Sequence, residues 1–185
     1  MAAPREEPDL ARLDLRALDL SSGAAAHVVG EVPVEDLTLG GQRYRVESSG
    51  PARVDVSEGS SGRLFRLRLD ADLVGPCWRC LEEARAHVRI DAREYQAAGR
   101  PPDAPHDEDL DTQYLEGHVL DVAGWARDAV AEALPPTILC REACAGLCPT
   151  CGTDLNAGPC DCPPPEPDSR WAALGPLAER LRREG

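Results

Sequence analysis

The chain has 185 residues and a formal net charge of −13, which excludes the molecule as a whole from acting as an electrostatic trap for nucleic acid. Any contact with RNA or DNA therefore needs a local basic face. A hydrophobic fraction of 42% suffices for a packed core, but aromatics at 4% leave that core to be built from Leu, Val and Ala. Every one of the 20 cationic residues is Arg, the side chain better suited to bidentate phosphate contacts. The length suits one ordinary domain with a small appendage, or two small domains.

The opening "MAAPREEPDLARLDLRALDL" carries acids throughout and no apolar run of signal-peptide length. Nothing downstream approaches the roughly 18 consecutive apolar residues of a membrane span. The expectation is a cytoplasmic protein with no membrane partner. Residues 1–96 are predicted to be β-rich. "ARLDLRALDL" reads as an early strand or one helical turn, and "AHVVGEVPV", "QRYRV" and "ARVDV" read as short strands between Gly- and Ser-rich turns.

The clearest pattern lies in "RLFRLRLDADLV", where Phe65, Leu67, Leu69, Ala71 and Leu73 alternate with Arg66, Arg68, Asp70 and Asp72. After "GPCWRCLE" the alternation resumes: Ala84, Ala86, Val88, Ile90 and Ala92 face in, and Arg85, His87, Arg89, Asp91 and Arg93 face out. Period 2 on both sides of a Cys-x-x-Cys turn predicts a long antiparallel hairpin. Residues 97–111 are acidic, Pro-rich and without periodicity, which predicts a mobile loop. Residues 112–139 hold a helix near Asp121 to Leu134, capped by Asp121, with Val122, Trp125, Ala129 and Ala133 on one face and Pro135-Pro136 as its stop. A Cys-rich module spans 140–162. A Pro-rich linker and an amphipathic tail helix, bent at Gly175-Pro176, fill 163–185.

Six of the 8 cysteines crowd into "CREACAGLCPTCGTDLNAGPCDC". In a reducing compartment, short Cys spacings point to metal before disulfides. In "CPTCG" the tight turn aims Cys148 and Cys151 at one point, and Cys160 and Cys162 can close a tetrahedral zinc site around it. Cys77, Cys80, Cys140 and Cys144 make a candidate second site if the segment after Pro136 returns to the hairpin turn. The alternative partition places Cys140 or Cys144 with Cys148 and Cys151. Thiolates alone also ligate iron–sulfur clusters, but the small Cys-Gly knuckle favours zinc.

A catalytic zinc keeps a position open for water and mixes His or carboxylate ligands. The four His residues are scattered singly, so all-Cys ligation implies one or two closed, structural zinc ions. A thioredoxin-like pair would place its Cys-x-x-Cys at a helix N-terminus, whereas "CWRC" stands between two antiparallel strands. No nucleophile–base pair, phosphate loop or dinucleotide fingerprint is present, so an enzyme is the weaker class, and no small-molecule substrate is expected. Arg66, Arg68, Arg85 and Arg89, with Arg93 beside them and Arg79 at the turn, would lie on one surface of the hairpin. They read as an RNA-phosphate patch or as a solvated face balanced by Asp70, Asp72 and Asp91. The blander version is slightly favoured on the residues alone.

Taken in order, "CWRCLE", "LEGHVLDVAGWARDAVAEALPPTILC", "CREACAGLCPTCGTDLN" and "DSRWAALGPL" resemble the YceD family, the large ribosomal RNA subunit accumulation proteins. The likeness runs from about Cys77 to Leu177, and the N-terminal third shares only a β-rich character. Cys77 and Cys80 match the family's Cys-x-x-Cys. Cys140, Cys144, Cys148 and Cys151 match its C-terminal cysteines, and Cys160 and Cys162 match the closing pair of many members. Ser169 in "DSRW" replaces the family's usual Pro. The resemblance implies a cytoplasmic, non-enzymatic factor in large-subunit ribosomal RNA accumulation, processing or subunit assembly, and supplies no catalytic residue. Its partner would be that RNA or the assembling particle, directly or through a ribosomal protein. A zinc-stabilised protein adaptor that never touches RNA, and a thiol redox protein, are the other readings. The expected fold is α+β: an antiparallel sheet or partly open barrel with a few helices and a Cys-rich, zinc-binding C-terminal segment.

Overall fold

A computed structural model describes residues 9–98, 111–163, 170 and 174–184. The alternating pattern forms two strands of 15 residues, β6 (Gly62–Pro76) and β7 (Glu83–Ala97), paired in register from Gly62↔Ala97 to Pro76↔Glu83. The inward set of β6 is buried from Phe65 to Leu73, and Ala84, Val88 and Ile90 of β7 are buried beside it. Solvated residues alternate with them because successive side chains leave a strand on opposite faces.

The other edge of β6 is shared by two shorter strands lying end to end. β4 (Gln42–Ser48) pairs Arg45↔Val74 to Ser48↔Ala71, and β5 (Ala52–Glu58) pairs Arg53↔Arg68 to Glu58↔Arg63. Ser49-Gly50-Pro51 interrupts what would otherwise be one strand, since Pro51 has no N–H to donate. β2 (Ala25–Gly30) then adds to β5, and β3 (Leu37–Leu39) adds to β4. The main sheet is therefore antiparallel, forked on one side and open. A small sheet of β1 (Arg12–Asp14), β9 (Val119–Asp121) and β8 (Leu115–Glu116) lies apart from it in hydrogen bonding. The ambiguous early segment is strand and helical turn in succession, with a 3-10 turn at Leu15–Leu18 after β1.

Helix α1 (Val122–Glu132) follows β9 directly. Asp121 caps it by accepting from the Gly124 N–H at 3.0 Å. Val122, Trp125, Ala126, Ala129 and Val130 form its buried stripe, which packs on β7 and β1. Trp125 is the largest fully buried side chain and stacks on Tyr114 with ring centroids 6.1 Å apart. The helix ends at Glu132, three residues before Pro135. Helix α2 (Gly175–Glu184) begins at the Gly-Pro pair predicted to bend it, because proline is accepted in a first turn whose N–H groups lack partners. Its Leu177 and Leu181, and Leu174 just before it, are exposed. Trp171 and most of 97–111, from 99 to 110, lie outside the described residues.

Trp125→Ala removes the anchor between helix and sheet and is expected to cost about 3–5 kcal/mol, read as a lower urea midpoint. Asp121→Ala removes one capping bond and is expected to cost about 1 kcal/mol by the same measurement.

Candidate metal centres

The turn joining β6 to β7 is a sulfur knuckle. The Cys77 N–H donates to the Glu82 carbonyl at 2.7 Å, and the Leu81 N–H returns to the Cys77 carbonyl at 3.0 Å. This tight path directs both Cys77 and Cys80 inward, where each is buried. After α1 the chain comes back to the same turn, and the Trp78 N–H donates to the Ile138 carbonyl at 2.8 Å. That bond delivers Cys140, and the turn closed by Cys144 N–H on the Arg141 carbonyl delivers Cys144. The four Sγ atoms of Cys77, Cys80, Cys140 and Cys144 lie within 4.8 Å of one another.

Cys148 and Cys151 repeat the knuckle. The Gly152 N–H donates to the Cys148 carbonyl at 2.8 Å, as Leu81 does to Cys77. An antiparallel bridge between Leu147 and Asp154 holds the turn, and Cys160 and Cys162 complete a second tetrad whose Sγ atoms also lie within 4.8 Å. Thus the structure brings all eight cysteines into two sets of four, divided between the residues before and after Leu147.

The two tetrads abut through Arg79 and Asn156. Arg79 donates from Nη1 to the Cys144 carbonyl at 2.8 Å, while its own carbonyl accepts from Leu147 N–H at 3.0 Å. Gly146 passes so close that an added Cβ would stand 3.0 Å from the Arg79 carbonyl oxygen, and its φ of +79° already favours glycine. Asn156, in the second module, accepts from Ala145 N–H at 2.8 Å through Oδ1 and donates from Nδ2 to the Cys144 Sγ at 3.5 Å. A residue of one module therefore orients a sulfur of the other. Asn156 falls inside the motif "CGTDLN", but spacing gives an amide there no role.

The geometry fits a tetrahedral cation. Metal–sulfur bonds of about 2.3 Å place sulfurs about 3.8 Å apart. Cys77 and Cys144 stand at 3.8 Å and Cys80 and Cys140 at 3.6 Å. Ionisation within each set is divided. Burial pushes the Cys77 thiol up, but N–H groups of Cys140, Cys80 and Arg79 outweigh it and bring it down to about 6. N–H groups of Cys151 and Thr150 likewise lower Cys148 to about 6. Cys162 is pushed up to about 12 by its neighbours Cys151 and Cys148 and by burial. Thiolates packed this closely repel, so charging one disfavours the next. A divalent cation removes that conflict, and four thiolates around it leave no open coordination position.

The hairpin arginines lie where the alternation places them, and Arg66, Arg68, Arg85 and Arg89 are already engaged. Arg66 meets Asp91 at 2.5 Å, Arg85 meets Glu47 at 2.6 Å, Arg89 meets Asp70 at 3.2 Å, and Arg68 meets Asp55. Arg93 has no ion pair among the described residues. Among the described residues, no helix is long and apolar enough to cross a membrane.

Residues 65–178 match the family described as large ribosomal RNA subunit accumulation protein YceD. The chain belongs to the YceD family. An uncharacterized protein of Mycobacterium tuberculosis is 30% identical over 202 residues, covering 94% of this chain and 96% of its own. One of Mycobacterium leprae is 29% identical over 131 residues, covering 70% and 60%. The large ribosomal RNA subunit accumulation protein YCED homolog 1, chloroplastic, of Arabidopsis thaliana is 35% identical over 65 residues, 35% of this chain and 20% of that protein. No solved structure matches significantly. The matched region takes in both tetrads and starts within β6, so β1 to β5 precede it.

Cys77→Ser and Cys148→Ser are each expected to remove one bound metal ion per chain and leave the other, by metal analysis of purified protein. Asn156→Ala is expected to weaken metal binding at the Cys144 tetrad by about 10- to 100-fold and spare the other site in competition with a chelator. With Cys77 and Cys148 each brought down to about 6, loading each tetrad of four thiols at pH 7 should release fewer than four protons. The number should rise, and metal affinity fall, as pH drops below about 6.

Proposed function

We propose that this member of the YceD family is a non-enzymatic, cytoplasmic factor for accumulation and processing of large-subunit ribosomal RNA, held in shape by two structural Zn²⁺ ions. The support is the combination of family membership with two all-sulfur tetrads, which suit a closed ion that organises a surface. Cys77, Cys80, Cys140 and Cys144 would hold one ion; Cys148, Cys151, Cys160 and Cys162 the other. Bound zinc supplies charge compensation and cross-linking. The chain's own residues supply the N–H groups that settle the sulfurs and the strut, Arg79, that joins the modules. The redox reading loses its main support, because the Cys-x-x-Cys of "CWRC" caps an antiparallel hairpin and not a helix N-terminus.

The partner is large-subunit ribosomal RNA or the assembling particle. Direct contact through Arg66, Arg68, Arg85 and Arg89 would require each guanidinium to exchange a carboxylate for a phosphate. That pairing favours the route in which a ribosomal protein makes the connection. Depletion followed by ribosome-particle profiling tests the assignment: a fall in large subunits with small subunits retained is expected, and normal large-subunit levels overturn it. Changing all four arginines to Gln should leave large-subunit levels near those of the wild type if a protein carries the contact. A collapse of those levels would identify the arginine face as the RNA surface.

A further inference from the structure

The hydrogen bonds at the end of β7 fix which way each of its backbone groups points. The Ala98 N–H donates to the Ser61 carbonyl at 2.9 Å, continuing the register of β6 and β7 by one pair. Antiparallel strands alternate bonded with open pairs, so even-numbered residues of β7 bond to β6 and odd-numbered ones turn their N–H and C=O away. Two contacts agree. The Ala97 N–H reaches outward to the Asp111 carboxylate at 2.9 Å, and the Tyr95 carbonyl accepts outward from the Thr112 N–H at 2.8 Å. From Arg93 back to Glu83, the outward groups have no hydrogen-bond partner among the described residues.

β7 is therefore an open edge, and a long one. Its pairing with β6 runs without a bulge through all 15 residues, and it holds no proline. Its core-facing side chains, from Ala84 through Val88 and Ile90 to Ala92, carry no charge. Short length, bulges, prolines and inward charges are the devices that keep a sheet edge from pairing with another strand. The sheet's other outer strands, β2 and β3, have only 6 and 3 residues. On β7 the solvent-facing charges alone select a neighbour, and their order decides which one they accept.

That order is complementary to itself. Laid antiparallel to a second β7 with Val88 on a two-fold axis, the row sets Glu83 against Arg93, Arg85 against Asp91 and His87 against Arg89. No carboxylate faces a carboxylate and no arginine faces an arginine. An axis at Arg89 would oppose Arg89 to itself and Arg85 to Arg93. An axis at His87 would oppose Glu83 to Asp91 and Arg85 to Arg89. An axis at Ile90 would set Arg85 against Tyr95, whose carbonyl Thr112 already holds. Like charges directly across a strand pair repel, and opposite ones attract. The unpartnered stretch from Glu83 to Arg93 is itself centred on Val88, so backbone and charges choose the same register.

We propose that β7 pairs with β7 of a second copy of this chain, antiparallel about a two-fold axis at Val88, joining the two main sheets into one. Open N–H and C=O groups in a row call for a strand as occupant, and a self-complementary row calls for the same strand. Arg93 has no ion pair among the described residues and gains one. Arg85 and Asp91 keep Glu47 and Arg66 and link these pairs across the axis with signs alternating. The dimer goes beyond the ribosomal assignment and does not depend on it.

Sedimentation of the full chain over a concentration series tests this. Arg89→Pro deletes an outward N–H and no bond to β6, a position where an edge strand accepts proline. Arg93→Glu brings a glutamate against Glu83, and Glu83→Arg/Arg93→Glu exchanges the pair. Unchanged circular dichroism and metal content verify the fold of each variant. The wild type is expected to dimerise, with the dissociation constant raised about tenfold or more by Arg89→Pro and by Arg93→Glu, because the axis doubles each loss. The exchange is expected to restore it. A monomer at every concentration, a dimer indifferent to the proline, or an exchange that fails to restore pairing overturns the proposal. Particle profiling after depletion reads the ribosomal role separately, so either conclusion can fail without the other.

Discussion

Meeting of the thiols from Cys77 and Cys80 with those from Cys140 and Cys144 is the constraint on which the C-terminal half depends. The two pairs come from the far end of the long hairpin and from the segment beyond α1, so their approach closes more than sixty residues into a ring. Four thiols in so small a space repel when ionised, and a divalent cation turns that repulsion into a cross-link. The second knuckle then hangs from the first. Leu147 is bonded to Arg79, Gly146 slides past it, and Asn156 reaches back to the Cys144 sulfur. The core around Phe65 and Trp125 is held by apolar burial, and Cys77, Cys80 and Cys144 adjoin it as part of the same buried cluster.

Two sulfur tetrads able to hold metal ions are the main chemical feature of the described residues. Both tetrads are complete with sulfur ligands, and Arg66, Arg68, Arg85 and Arg89 are matched by acids on neighbouring strands. What remains distinctive on the described surface is shape and apolarity at the end of the hairpin, held still by the clasp beneath it. The long hairpin carries a tight turn, four cysteines that could hold a metal ion lie behind it, and Trp78 and Leu81 are exposed at its outer face.

The hairpin could be read directly, since period-2 alternation over many residues has no helical counterpart. Asp121 and the Val122-Trp125-Ala129 spacing similarly announce α1. The short strands β3, β8 and β9 have too few residues to show a period, and their existence depends on neighbours supplied by the fold. The end-to-end placement of β4 and β5 along β6 is a matter of register, which local pattern does not encode. Register also decides the arginines: Asp55 and Glu47 come from those strands, so the neutralisation of Arg68 and Arg85 was invisible along the chain. Spacing left the cysteine partition open because Cys140 and Cys144 lie far nearer in sequence to Cys148 than to Cys77 and Cys80. The Ile138-to-Trp78 bond, a tertiary contact, is what carries them to the hairpin. Leu81 shows the opposite limit, because only its backbone φ of 65° reveals that a residue of ordinary type is strained.

The ring closed by the first tetrad has one further property. Between Ala98 and Asp111 its two ends are pinned together, by Thr112 N–H on the Tyr95 carbonyl at 2.8 Å and by Ala97 N–H on the Asp111 carboxylate at 2.9 Å. These bonds hold the far end of β7 beside Thr112, at the opposite end of the hairpin from the sulfur clasp, so the long strand is secured at both of its ends.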